Sequence, residues 1–189
     1  MRMRAETVAA IFEALDRAGL PAWVDGGWGV DALLGEQSRP HSDLDLIIDA
    51  QRVDELRRVL GALGFSERSS DSARAFVLAN ALCEAIDVHA VRFDARGFGC
   101  FDVGDGREWP FPPRAFAATG IVHGRSVRCL SPEAQVMCHA QGYVPTEKDV
   151  ADMERLQRRF GVVLPLALCR APTVGPPSAA TTDDAVASR

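Results

Sequence analysis

The run His41-Ser42-Asp43-Leu44-Asp45-Leu46-Ile47-Ile48 constrains the fold more than any other stretch. It reads as a β-strand, and side chains two apart on a strand point to the same face. Asp43 and Asp45 therefore project together, while Leu44 and Leu46 pack on the other side. Two carboxylates that close repel unless a cation lies between them. Such a pair suits Mg²⁺, which takes one or two carboxylates and keeps its other positions for water and substrate phosphates. Asp-x-Asp alone equally describes a solvated strand end, so its meaning rests on the sequence upstream.

Upstream the chain reads Trp23-Val24-Asp25-Gly26-Gly27-Trp28-Gly29-Val30-Asp31-Ala32-Leu33-Leu34-Gly35. Three glycines in four positions follow a short apolar stretch and precede a helical spacing at Val30, Leu33 and Leu34. The reading is strand, tight glycine turn, helix. Glycine lets a backbone approach a ligand closely, and a helix N-terminus presents free N–H groups to an anion. The pattern is neither Gly-x-Gly-x-x-Gly nor a P-loop.

Elsewhere the periodicities place helices at 5–18, 28–35, 51–63, 131–140 and 146–160, and strands at 21–25, 43–48, 74–79, 84–92 and 127–130. Asp94 to Pro113, rich in Gly, Asp and Pro, reads as loop with short strand pieces. The sum is an α/β (α+β) fold: a mixed sheet with helices, finished by a short C-terminal helical lobe. The expected division is a catalytic domain over 1–125, a C-terminal strand and helical lobe over 126–170, and a disordered tail over 171–189.

In Glu84-Ala85-Ile86-Asp87-Val88-His89-Ala90-Val91 alternation puts Asp87, His89 and Val91 on one face. If this strand neighbours the first acidic strand, Asp87 completes a three-carboxylate cluster, costly without a metal or a raised pKa.

No apolar run reaches 18 residues, so no membrane span is expected. Five cysteines without Cys-x-x-Cys spacing read as reduced residues of a cytoplasmic protein. A net charge of −5 argues against a protein that coats nucleic acid.

Taken together, the glycine turn and the acidic strand resemble the nucleotidyltransferase superfamily that includes DNA polymerase β. The similarity is greater still to small antibiotic nucleotidyltransferases, above all those acting on lincosamides. It rests on Asp25 to Asp31, on Arg39-x-His41-x-Asp43-x-Asp45, on Asp87-x-His89, and on Cys129-x-Ser131-x-Glu133-Ala134-Gln135. It continues through His139-x-x-Gly142-Tyr143 and Thr146-x-x-Asp149-x-x-Asp152. Aminoglycoside 2″-nucleotidyltransferases share the three carboxylates more loosely.

The resemblance implies a polymerase β-like fold and transfer of a nucleoside monophosphate to a hydroxyl of a small antibiotic, a lincosamide first and an aminoglycoside second. It implies an NTP, most simply ATP, and one or two Mg²⁺ ions on Asp43, Asp45 and Asp87, with Asp87 as general base. Gly26, Gly27, Arg39 and Lys148 (the chain's only lysine) are the candidates for the triphosphate. His89, Trp28 and Tyr143 are those for the substrate, although a buried core indole is the commoner role for a residue placed like Trp28; Trp109 is a further acceptor-pocket candidate. Asp149 and Asp152 either meet a cationic acceptor or brace the lobe. A homodimer is a further implication. Two other functions stay open: the same chemistry on tRNA, and a non-catalytic nucleotide-binding module.

Overall fold

The computed structural model describes residues 2–72, 74–104, 107–141 and 144–169. The expected tail beyond 170 and Tyr143 lie outside the described residues.

Helix α1 (Ala5–Arg17) buries Val8, Ile11, Phe12 and Leu15, the stripe its 3.6-residue period dictates. Strand β1 (Ala22–Asp25) turns at once into α2 (Gly26–Leu34), two residues earlier than the sequence spacing suggests, because Asp25 caps the helix by accepting from Gly26 N–H. Strand β2 (Asp43–Asp49) leads through a 3₁₀ turn into α3 (Val53–Ala62). Strands β3 (Ser66–Ser72), β4 (Ala75–Ala79) and β5 (Ala85–Phe93) follow, then the β6 (Gly99–Gly104) and β7 (Arg107–Phe111) hairpin. Strands β8 (Ala118–Val122) and β9 (Arg125–Cys129) precede helices α4 (Pro132–Ala140) and α5 (Glu147–Phe160).

Four of these strands depart from expectation. β3 is Ser-Glu-Arg-Ser-Ser-Asp-Ser, an edge strand paired only with β4 through two irregular steps, and its polar sequence carries no alternation to read. β8 is half-exposed and Thr/Gly-containing. The Gly- and Pro-rich stretch read mainly as loop pairs as a hairpin, Phe101 opposite Trp109.

The main sheet runs β3-β4-β5-β2-β1-β9-β8, with the hairpin attached to the end of β5. β2 pairs β5 and β1 pairs β9 in parallel; the others are antiparallel. Leu44, Leu46, Ile48, Ile86, Val88 and Ala90 fill one face against α1 and α3. On the opposite face Ile47 and Val91 pack with Phe111, Leu130 and Ala134. A further cluster of Val30, Val136, Met153 and Leu156 ties α2, α4 and α5 into the helical lobe. Helix α5 starts on a capping box between Thr146 and Asp149, and α4 on Ser131 with Pro132 behind it.

Glu84, in the turn before β5, fixes α1 to the sheet. Its carboxylate accepts from Arg4 Nε at 2.7 Å, Thr7 Oγ1 at 2.8 Å and Asn80 Nδ2 at 2.8 Å. The Arg4 bond, outweighing burial, holds its pKa down at about 2 against an ordinary 4.5. A depressed carboxylate stabilises the fold fully above its unfolded pKa and ceases to do so as pH falls through its folded value. Stability of the wild type is therefore expected to decline between pH 4.5 and 2. Glu84→Gln is expected to flatten that decline and to cost about 2 kcal/mol at neutral pH, as read from urea melts across pH.

Candidate active site

The register of three adjacent strands assembles the acids. Asp25 on β1 stands opposite Asp45 on β2, and Asp45 stands opposite Asp87 on β5. A ladder of carboxylates thus crosses the sheet at one level. Donor atoms of Asp45, Asp87 and His89 all lie within 4.8 Å of one another. Asp43, opposite Ala85, sits one strand repeat along and lines the same cavity, its Oδ1 accepting from Ser42 Oγ at 3.0 Å. His89 Nε2 lies 3.9 Å from both Asp45 Oδ1 and Asp87 Oδ2. Burial works against its charge, but the two acids outweigh it and raise its pKa to about 8. The imidazolium is thus the counter-ion that this arrangement holds between the carboxylates. For Asp25, burial and then the Asp45 charge raise the pKa, with His139 and the Gly26 N–H acting the other way.

The glycine corner exists to let these groups come close. Gly26 has φ +60°, and a methyl group there would fall 2.0 Å from Asp45 Oδ2. A methyl at Gly27 would fall 2.3 Å from His41 Nδ1 and 2.7 Å from Arg39 Nη2. The start of α2 accordingly borders a cavity of about 600 Å³ that Asp25, Asp43, Asp45 and His89 also line; Asp87 is not part of that lining and adjoins it through Asp45 and His89.

Cations complete the polar side. Arg39 and Lys148 both line the cavity, as the sequence suggests. His41 also lines it; its Nε2 donates to the buried Asp31 Oδ2 at 2.5 Å, and Ser38 Oγ donates to Asp31 Oδ1 at 2.6 Å. From α4, His139 donates Nδ1–H to the Gln135 carbonyl at 2.8 Å, which leaves Nε2 facing Asp149 Oδ1 at 4.0 Å. Beside it, the Cys138 thiol is pushed well up by burial and by Asp25, so it is an inert wall of the cavity.

The remaining wall is apolar: Ile47 and Val91 from the sheet, Phe101, Val103, Trp109 and Phe111 from the hairpin. Phe101 meets His89 edge-on at 5.4 Å between ring centres, and Trp109 stacks near-parallel on Phe111. The segment read as loop therefore forms one side of the cavity, in contact with His89.

One candidate is corrected. Trp28 is 2% exposed, packs its ring against His41 at 4.7 Å, and is absent from the cavity wall. Its position on α2 turns it into the core, so it acts on the site only by backing His41. Sequence reasoning also left Asp25 and Asp31 without roles, and gave Asp152 no partner. A cap signal at Asp25 and the helical period that buries Asp31 and Asp152 were available in the chain, but their partners come from distant segments.

A model of the aminoglycoside-2″-adenylyltransferase family matches residues 7–156. The chain belongs to that family. It shares 29% identity over 147 residues with a lincosamide resistance protein of Staphylococcus haemolyticus, covering 78% of this chain and 90% of that one. With a 2″-aminoglycoside nucleotidyltransferase of Escherichia coli it shares 32% over 124 residues, 66% of each chain. Among solved structures, the lincosamide antibiotic adenylyltransferase LnuA, lincomycin-bound, superposes with TM-score 0.72 at 26% identity, over 83% of this chain and 98% of that one. ANT(2″)-Ia in complex with adenylyl-2″-tobramycin has the same fold, at TM-score 0.67, 24% identity and coverage of 82% and 88%. The family member described here is thus an enzyme of the nucleotidyltransferase class with the nucleotidyltransferase fold. Among its described residues no helix is long and apolar enough to cross a membrane.

Proposed function

We propose that this enzyme transfers AMP from ATP to a hydroxyl of a lincosamide, with release of pyrophosphate. The observation that carries the reading is the Asp45–Asp87 pairing across parallel strands, beside a glycine corner and below an aromatic wall. The donor set fits a hard divalent ion: two facing carboxylates within reach of each other, with open cavity in front of Asp45 for water and phosphate oxygens. Asp45 and Asp87 would hold Mg²⁺, with Asp43 at its rim, and the ion when bound neutralises charge developing on the phosphoryl group. Asp87 accepts the proton of the attacking hydroxyl. Gly26 and Gly27 place the N-terminus of α2 against the triphosphate, where Arg39 and Lys148 supply positive charge. His89 orients Asp87 and abuts the acceptor through Phe101.

A lincosamide is favoured over an aminoglycoside because the wall built by Ile47, Val91, Phe101, Trp109 and Phe111 offers contact area for an apolar acceptor. A polycationic sugar would need more carboxylates on that side. Activity in the cytoplasm, where ATP is available, and a homodimer belong to the same proposal.

Pyrophosphate release tests it. The protein with Mg²⁺ and each NTP is incubated separately with lincomycin, an aminoglycoside panel and bulk tRNA. Release with lincomycin and ATP is the expected result. Release confined to tRNA would replace the acceptor, and none with any acceptor would remove the catalytic reading.

A further inference from the structure

Asp152 is 1% exposed, in the middle of α5, and nothing in the chemistry above uses it. Its Oδ2 accepts from Arg39 Nε at 2.9 Å and from Arg39 Nη2 at 2.6 Å; its Oδ1 accepts from Arg155 Nη1 at 2.9 Å. One buried carboxylate from the helical lobe thus grips the guanidinium that projects from the loop before β2. That same Nη2 lies where a methyl group on Gly27 would collide with it. Lys148 precedes Asp152 by four residues, so the two share one face of α5. Fixing Asp152 on Arg39 therefore sets two cations at once: Arg39 directly, and Lys148 through the register of the helix. Side-chain entropy favours disorder for an arginine that projects into a solvent-filled cavity. The two-donor grip removes that freedom before any phosphate arrives.

From this geometry we infer that Asp152 is a positioning residue of the triphosphate pocket, acting through Arg39 and joining the lobe to the glycine corner. The inference rests on the nucleotide reading given above. Asp152 touches no substrate; its effect is on where Arg39 Nη1 and Nη2 stand.

The test is a double-mutant cycle on binding of an ATP analogue with a methylene between its α- and β-phosphates, titrated calorimetrically with Mg²⁺ and no acceptor. Asp152→Asn is expected to weaken binding about 10-fold, the scale of a charge-assisted hydrogen bond. Arg39→Gln is expected to weaken it at least as much, and the double variant no more than Arg39→Gln alone. In turnover, KM for ATP rises while kcat and KM for the acceptor hold, the signature of lost ground-state binding. Wild-type affinity in Asp152→Asn, or effects that multiply in the double variant, would overturn the inference. Should Asp152→Asn melt without a cooperative transition, Arg39→Lys decides. It keeps Asp152 paired with a charge but loses the fork, so the same 10-fold loss is expected, and unchanged affinity would sink the idea. A wild type that binds no analogue would instead defeat the nucleotide reading, a result distinct from a binding wild type with an indifferent variant.

Discussion

Asp87→Asn is expected to lower the rate of nucleotidyl transfer by about 10²–10⁴-fold while the melting midpoint stays near that of the wild type. The argument is electrostatic. Asp45 and Asp87 face each other across a parallel pair, and His89 stands 3.9 Å from each. Without a divalent ion that arrangement carries two negative charges against one positive. Removing the Asp87 carboxylate takes away one repulsion, from Asp45, and one attraction of similar size, to His89, and it deletes a group that the reaction needs. Asparagine keeps the shape, so the fold has no cavity to absorb. Asp45→Asn follows the same logic through the metal, and its loss should not be restored by acceptor concentration. Single-turnover rates with saturating ATP and lincomycin, paired with thermal melts, read both quantities. A variant at residue 87 that keeps wild-type turnover would remove Asp87 from the chemistry.

Gly26→Ala should abolish activity to a similar extent, for a different reason. The residue has φ +60°, where a Cβ costs about 1–2 kcal/mol, and that Cβ would fall 2.0 Å from Asp45 Oδ2. The colliding atom is the tip of a rotatable side chain, so the fold can survive by turning the Asp45 carboxylate away. Turning it away dismantles the pairing with Asp87. The expected outcome is a stability loss near the backbone value and a rate loss near that of Asp45→Asn. Gly35→Ala is the control: φ is +78°, and a Cβ there meets nothing within 4 Å. It should show a comparable drop in a urea melt with turnover intact. Equal activity in the two alanine variants would mean that the close approach at Gly26 has no bearing on the reaction.

Much of this was written in local sequence. The strand carrying Asp43 and Asp45 could be read because alternation and acidity coincide, and Asp87 followed from the same period in the strand that carries it. The glycine corner was legible as a turn, yet the clash that explains its composition depends on tertiary approach. Ser66 to Ser72 could not be seen as a strand, because an edge strand in contact with a single neighbour needs no apolar side. Trp28 was open to two readings that sequence cannot separate: an indole after a glycine turn points to the cleft or to the core according to the helix phase, and the phase was set by Asp25 starting α2 two residues early. Asp31 and Asp152 look like ordinary helix acids until His41 and Arg39, 10 and 113 residues away in the chain, are folded onto them.

The backbone of the β6–β7 hairpin pairs with β5 only at Arg92 with Cys100 and Phe93 with Gly99, and otherwise with itself. Lengthening, shortening or recolouring it leaves the pairing of β1, β2 and β5 untouched. On the proposed reading, the bond-making groups and most of the acceptor wall thus reside on separable pieces of polypeptide. A lineage with this layout can retarget itself by editing a dozen residues between Asp94 and Phe111, without reinventing how it handles phosphorus.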